Sequence, residues 1–220
     1  MLALLKLPDG TPVSKKTFLE TNGLLEENTR EAIKKASCAK LVQDTEGYIQ
    51  ISQKSRFKIV TKCLEKGIDV ESVCKAAGWR EFEDLAVMIL GANGYVTKKH
   101  FRFRFNEKGY EVDVLALKSP WSLAVECKRW KRSLQPAARK RVAEIHQKKI
   151  SSLRKALPSL FNRYGLNIFH DVKLIPTVLT LFETPLVIEH GIPFVPIRRF
   201  QSFIEQFEGY VGDFEINNHR

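Results

Sequence analysis

The sequence predicts an α/β domain with a mixed β-sheet flanked by helices, preceded by a small, mainly helical module. Three observations carry this reading. The spacing of apolar residues changes near Gly78 from three-and-four steps to long two-residue alternation. The second part then runs helix, three strands, helix, strand, strand, helix, an order that needs both hairpins and crossovers. Finally, 44% apolar residues in a chain of 220 are enough to fill a core. The boundaries read as 1–78 for the first module and 79–220 for the second.

Within residues 1–78, "SKKTFLET" follows a Pro/Gly turn and has Ser14 as its N-cap. "EENTREAIKKASCAKLV" carries good helix formers with apolar residues three and four apart. "EGYIQIS" alternates like a half-buried strand, and "QKSRFKIVTKCLEKG" is a helix that stops at Gly67. "DVESVCKAAG" adds a short helix with Asp69 as cap and Gly78 as terminator. Helices with a short strand pair suit a winged-helix-like module; they suit a plain helical subdomain as well.

From Trp79 onward, "WREFEDLAVMILGANG" sets Phe82, Leu85, Ala86, Ile89 and Leu90 on one stripe, with Gly94 as the stop. "YVTKKHFRFRFNEKGYEVDVLAL" reads as a hairpin turning at "NEKG", in which Phe101, Phe103 and Phe105 alternate with His100, Arg102 and Arg104. "WSLAVECKRW" is the third strand, and "QPAARKRVAEIHQKKISSLRKAL" a long helix with Pro136 in its first turn. "VKLIPTVLTL" and "GIPFVPI" follow as strands and "RRFQSFIEQF" as a closing helix. The three phenylalanines are expected in the core, not as a platform for stacked bases.

The net charge of +11 is concentrated in one region. Residues 98–155 hold 17 Lys and Arg against five Asp and Glu, so this quarter of the chain carries the whole positive excess. A one-signed block on a folded domain is the footprint expected for a polyanion, which favours DNA as partner over a solubility charge. No strongly amphipathic, apolar-faced helix accompanies it, so a membrane surface is disfavoured. No window approaches the roughly 18 apolar residues of a membrane span, and "MLALLKLPDG" is too short an apolar run for a signal peptide. The expected location is the cytoplasm, with the nucleoid as binding partner. Cys38, Cys63, Cys74 and Cys127 show neither zinc nor disulfide spacing and are read as free, buried thiols.

Two apolar strands nevertheless carry charges at their ends: Asp113 on one, Glu126 and Lys128 on the next. Equal parity on a strand means a shared face, so Glu126 and Lys128 point together, opposite Leu123, Val125 and Cys127. A salt bridge between Glu126 and Lys128 would satisfy that pair. It leaves Asp113 as an unmatched carboxylate, which costs several kcal/mol to bury unless it meets a cation. Two carboxylates with water and phosphate oxygens suit Mg²⁺, with Mn²⁺ as a substitute. Such an ion would activate a bound water and offset charge on a scissile phosphate, with Lys128 as an adjacent cation. Glu83 could lend a third carboxylate, although its helix position alone suggests an exposed side chain.

"VDVLAL" followed by "LAVECKRW" resembles the D…ExK core of the PD-(D/E)xK nuclease superfamily, and the order of elements resembles the Mrr-type restriction endonuclease domain and the archaeal Holliday junction resolvases. Phe82-Glu83 and Gly94-Tyr95 fit the helix and strand entry of Mrr-type domains, and "GIPFVPIRRFQSFI" is similar to their last strand and helix. The resemblance covers about residues 79–207 and implies a restriction-endonuclease-like core. It also implies a Mg²⁺-dependent endodeoxyribonuclease, with Asp113 and Glu126 as metal ligands, Lys128 as catalytic lysine and Glu83 as the helix glutamate. By analogy with the resolvases it extends to branched or structured DNA and to a homodimer. Similarity to archaeal proteins that join a helical module to this core implies an archaeal source.

One departure stands out. Where Mrr-type domains have a Gly-rich loop, this chain has "NEKGYEVD", with Glu111 on the face of Asp113 by parity, as an extra ligand or as a partner for Arg102 or Arg104. Phosphate contacts are expected from Lys98, Lys99, Arg102, Arg104, Arg129, Lys131, Arg132, Arg139, Lys140, Arg141, Lys148 and Lys149. Gln147 sits where related nucleases carry a polar helix residue. The alternative from another class is a non-catalytic protein on a resolvase-like fold that binds DNA or a transcription or repair protein, as do those that bind the TATA-binding protein.

Overall fold

The computed structural model describes residues 1–129, 135–164, 172–181 and 186–209. The chain divides into two compact units, Met1–Glu81 and Phe82–Arg220.

The first unit comprises α1 (Leu2–Leu5), β1 (Val13–Ser14), α2 (Lys15–Asn22), α3 (Glu26–Cys38), β2 (Gln43–Thr45), β3 (Tyr48–Gln50), α4 (Gln53–Glu65) and α5 (Val70–Ala76). Ser14, Ser52 and Asp69 cap α2, α4 and α5 by accepting a backbone N–H three residues on. The strands form a small antiparallel sheet in the order β1-β3-β2, so a third strand joins the expected pair. Its two residues are too few to show alternation. Leu5, Ile49, Ile59, Cys63 and Val73 are fully buried at the centre. Beside them Arg56, only 6% exposed, donates from Nε to Glu81 Oε1 at 2.7 Å and from its terminal nitrogens to the carbonyls of Leu5 and Leu7. Glu81 also accepts the Gly78 N–H at 2.6 Å, which closes the polar accounting of this buried pair.

α6 (Trp79–Ala92) runs across the boundary, and the second unit continues with β4 (Val96–Phe105), β5 (Lys108–Leu117), β6 (Trp121–Lys128), α7 (Pro136–Tyr164), β7 (Lys173–Thr180), β8 (Val187–Glu189), β9 (Ile192–Pro196) and α8 (Ile197–Gln206). Among the described residues the sheet has six strands in the order β4-β5-β6-β7-β9-β8. β4, β5 and β6 are antiparallel, β6-β7 and β7-β9 parallel, and β8-β9 antiparallel, giving the mixed α/β sheet the sequence predicts. The β4-β5 turn is a tight one at Asn106 and Glu107, both with positive φ, +48° and +61°. Phe101 and Phe103 are buried against Ile150, Leu153 and Leu157 of α7, as core residues.

In the second unit two elements differ from expectation. α7 does not end at Pro158 but continues to Tyr164, because Leu160 and Phe161 on its last turns are buried and hold the helix past the missing N–H. β8, three residues long, is too short to read as a strand in sequence.

The two-residue alternation also breaks within β5. Val112, Leu115 and Leu117 all join the cluster around α7, so the shared face steps by three across Asp113 and Val114. On β4 the register pairs Lys99 with Val114 and Phe101 with Val112, which sets His100 opposite Asp113. His100 has φ +51°, a left-handed conformation rare for a non-glycine inside a strand. Equal parity therefore does not assign Glu111 to the face of Asp113.

Candidate active site

β5-β6 pairing reaches Val114 and Val125. One residue further, the Asp113 side chain takes over: its Oδ2 accepts the Cys127 N–H at 2.7 Å. Next to it on β6, Glu126 is clasped from two sides. Lys128 Nζ lies 2.7 Å from Oε1, and Lys149 Nζ, from α7, lies 2.5 Å from Oε2. Both Glu126 oxygens are thus neutralised, while Asp113 has no ammonium at bonding distance among the described residues. The salt bridge read from the two-residue spacing does form, and it does not include Asp113.

The electrostatics follow. Burial and then the Glu126 charge push the Asp113 carboxyl up to about 6, against the opposing pull of the Cys127 amide, Lys149 and Lys128. Burial pushes Glu126 up too, yet its carboxyl ends below the ordinary range. A charge on His146 would help, but burial drives that imidazole down to about 4, so it is neutral at pH 7. Lys128 and Lys149 are therefore the cations that keep Glu126 ionised. The buried Cys127 thiol is pushed well above its usual value by burial and then by Asp113, Glu83 and Glu126, so all three carboxylates act on one point.

Glu83 is 1% exposed, not solvated as its helix position alone suggests. The reason lies in β4: Lys99 Nζ is 3.2 Å and His100 Nε2 3.3 Å from Glu83 Oε2. Lys99 also meets Asp84 at 2.7 Å. His100 Nδ1 in turn faces Glu111 Oε1 at 3.2 Å, and Arg102 Nε donates to Glu111 Oε2 at 2.6 Å. Glu111 is accordingly a partner of Arg102 and His100, which hold its carboxyl below the ordinary range, with the Arg102 hydrogen bond as first cause.

Of the residues expected to meet phosphate, Lys98, Arg104, Lys140, Arg141 and Lys148 are exposed. Lys99, Arg102, Lys149 and Arg139 face carboxylates, the last Glu189 at 3.9 Å. Arg129 is half-buried. Lys131 and Arg132 lie outside the described residues. Gln147 is on α7 with Oε1 buried and no hydrogen-bond partner among the described residues.

Sequence reasoning missed His100 and His146. Its position in the α7 stripe Ala143, His146, Ile150, Leu153 was the signal for His146, since a polar residue on a buried stripe needs a partner. That partner is the Ala124 carbonyl, 3.0 Å from Nε2.

Among the described residues no three His, Cys, Asp or Glu side chains stand preassembled as a metal cage. The donor set still fits a hard divalent cation. Asp113 and Glu126 are adjacent carboxylates that raise each other's cost of ionisation, and Asp113 has one oxygen without a donor among the described residues.

The mixed sheet flanked by helices is that of a restriction-endonuclease-like α/β core. Residues 74–161 match the model of the Mrr-type catalytic family, described as a restriction endonuclease. That match, over less than half of the chain, supports a likeness of this segment to the PD-(D/E)xK nuclease superfamily at the family level. The chain is also similar to two solved structures. One is AF1548, a protein of unknown function: 16% identity, 59% of this chain and 53% of that chain, TM-score 0.35. The other is VC1899 from Vibrio cholerae: 9% identity, 98% of this chain and 51% of that chain, TM-score 0.44. The chain spans about half the length of each. No curated protein matches. No helix among the described residues is long and apolar enough to cross a membrane.

Proposed function

We propose that the protein is a metal-dependent DNA endonuclease that hydrolyses phosphodiester bonds, with Asp113 and Glu126 holding a divalent cation, Mg²⁺ or Mn²⁺. The observation that carries this is the Asp113 carboxylate, placed beside Glu126 and pushed up to about 6 without an ammonium of its own among the described residues. Such a cation would supply an activated water and offset charge on the phosphate. Lys128, two residues further along the same strand with Nζ 2.7 Å from Glu126 Oε1, would orient an attacking water or meet charge developing on the phosphorus oxygens. Glu83 holds Lys99 and His100 in place beside it. Exposed Lys98, Arg104, Lys140, Arg141 and Lys148 take duplex phosphates and fix the position of the DNA without reading its sequence. Branched or structured DNA is the substrate class by analogy with the resolvases.

A second reading rests on a different observation. Both Glu126 oxygens already have ammonium partners, as a purely structural ion-pair network would. On that reading the domain binds DNA or a transcription or repair protein without cutting.

One assay separates the two. The full chain is incubated with linear duplex, single-stranded and four-way-junction DNA in Mg²⁺, Mn²⁺ or EDTA, beside Asp113→Ala and Lys128→Ala. The nuclease reading requires cleavage that needs metal and is lost in both variants. Intact DNA under every condition, or variants that cut like the parent, overturns it.

A further inference from the structure

His146 is a buried group at this site that the proposed chemistry does not use. It is 1% exposed, and its Nε2 lies 3.0 Å from the Ala124 carbonyl on β6. A carbonyl can only accept, so Nε2 carries the proton and Nδ1 is the free position of the ring. Nδ1 is buried with no hydrogen-bond partner among the described residues, and it lies 3.7 Å from Glu126 Oε2. That sets a nitrogen lone pair against a carboxylate oxygen, two acceptors 3.7 Å apart. Buried polar atoms are rarely left so without a reason. The arrangement on the far side of the ring has a familiar purpose: a backbone carbonyl that takes one imidazole N–H fixes the tautomer so that the other nitrogen can bind a metal. Lys149 Nζ, 2.5 Å from the same Glu126 oxygen, stands where a cation is wanted and leaves Nδ1 unpaired.

We infer that His146 Nδ1 is a nitrogen ligand, together with Glu126 Oε2, to a divalent cation that takes the place of the Lys149 ammonium. This rests on the nuclease reading for the presence of a cation, but it adds a ligand that the D…ExK pattern does not contain. It also sets a preference. Mg²⁺ demands oxygen donors, whereas imidazole suits the later first-row ions, so Mn²⁺ and above all Co²⁺ bind more tightly than Mg²⁺.

The experiment needs no DNA and no turnover. Mn²⁺, Co²⁺ and Mg²⁺ are titrated calorimetrically into the full chain, its Asp113→Ala, His146→Leu and Lys149→Met variants, and pulsed electron paramagnetic resonance is recorded on the Mn²⁺ complex with natural and with ¹⁵N-histidine protein. The expected result is a nitrogen coupling that changes isotope with the label. His146→Leu should weaken Mn²⁺ and Co²⁺ by about tenfold or more while Mg²⁺ moves less than about threefold. Lys149→Met should tighten Mn²⁺ by severalfold, since a competing cation is gone. Should His146→Leu fail to fold, the labelled His100→Gly protein decides, since it removes the other histidine beside Asp113. Mn²⁺ binding that depends on Asp113 but shows no nitrogen coupling overturns the role of His146 and leaves the nuclease reading intact. Absence of any Asp113-dependent binding removes both.

Discussion

Asp113→Asn should make the metal-free protein more stable while abolishing its proposed activity. In the folded chain the Asp113 carboxyl is raised from 3.8 to about 6, chiefly by burial and by the Glu126 charge. A raised carboxyl contributes stability that is fully present below pH 3.8 and lost as pH rises through about 6. At 1.36 kcal/mol per unit the full difference would be about 3 kcal/mol. Because the side chain is half-buried and water still screens it, about 1–2 kcal/mol is the expected effect. The asparagine amide avoids this cost and keeps an oxygen for the Cys127 N–H. Guanidinium unfolding of both proteins in EDTA, followed by tryptophan fluorescence at pH 4, 5, 6, 7 and 8, gives the comparison. The variant should match the parent near pH 4 and overtake it by pH 7, and Mn²⁺ should restore the parent alone. A variant that is equally or less stable at pH 8, or a difference that does not grow with pH, would refute the account of Asp113.

The remaining predictions concern the scaffold and the DNA surface. Arg56→Met leaves Glu81 and the Leu5 and Leu7 carbonyls without their buried partner and should cost roughly 3–5 kcal/mol, read by urea unfolding and by proteolysis within residues 1–81; a loss under about 1 kcal/mol sinks the idea. His100→Gly should fold within about 1 kcal/mol of the parent, since glycine accepts the +51° φ freely, whereas His100→Val should lose about 1–3 kcal/mol. Equal stability of the two would show that the backbone there is not the constraint. Exposed Lys148→Ala should lower the salt-dependence slope of DNA binding by about one and weaken all sequences alike; a loss confined to some sequences would point to base readout instead.

Most of the architecture was legible because each long element advertises a period. The α6 stripe, the phenylalanine alternation of β4 and the apolar runs of β5 and β6 all recur as drawn. β1 and β8 escaped because two or three residues cannot show a period. The end of α7 escaped because tertiary burial of Leu160 and Phe161 overrode the local signal of Pro158. At the site, the residue types were legible and their pairings were not. Parity places side chains correctly only on a regular strand, and β5 changes face at Asp113 opposite the left-handed His100. Burial of Glu83 and the reach of Lys149 to Glu126 depend on where helices lie against the sheet, which no spacing along one strand encodes.

The charge count at the site leads to one more consequence. Ionised Asp113 and Glu126 with the ammoniums of Lys128 and Lys149 sum to zero, so the metal-free site is balanced. A divalent cation added to that set would leave two positive charges in a half-buried place, where uncompensated charge is costly. Phosphate supplies the missing negative charge, and it also gives Lys149 an alternative partner to Glu126 Oε2. Cation and DNA should therefore bind cooperatively, and by linkage each must tighten the other by the same factor, on the order of 5- to 150-fold. The check is Mn²⁺ affinity measured with and without a duplex whose backbone resists hydrolysis, then DNA affinity with and without Mn²⁺. The two ratios should agree in the parent and shrink toward one in Lys149→Met, where the balance has already shifted. Independent binding in the parent would mean that Lys149 never leaves Glu126.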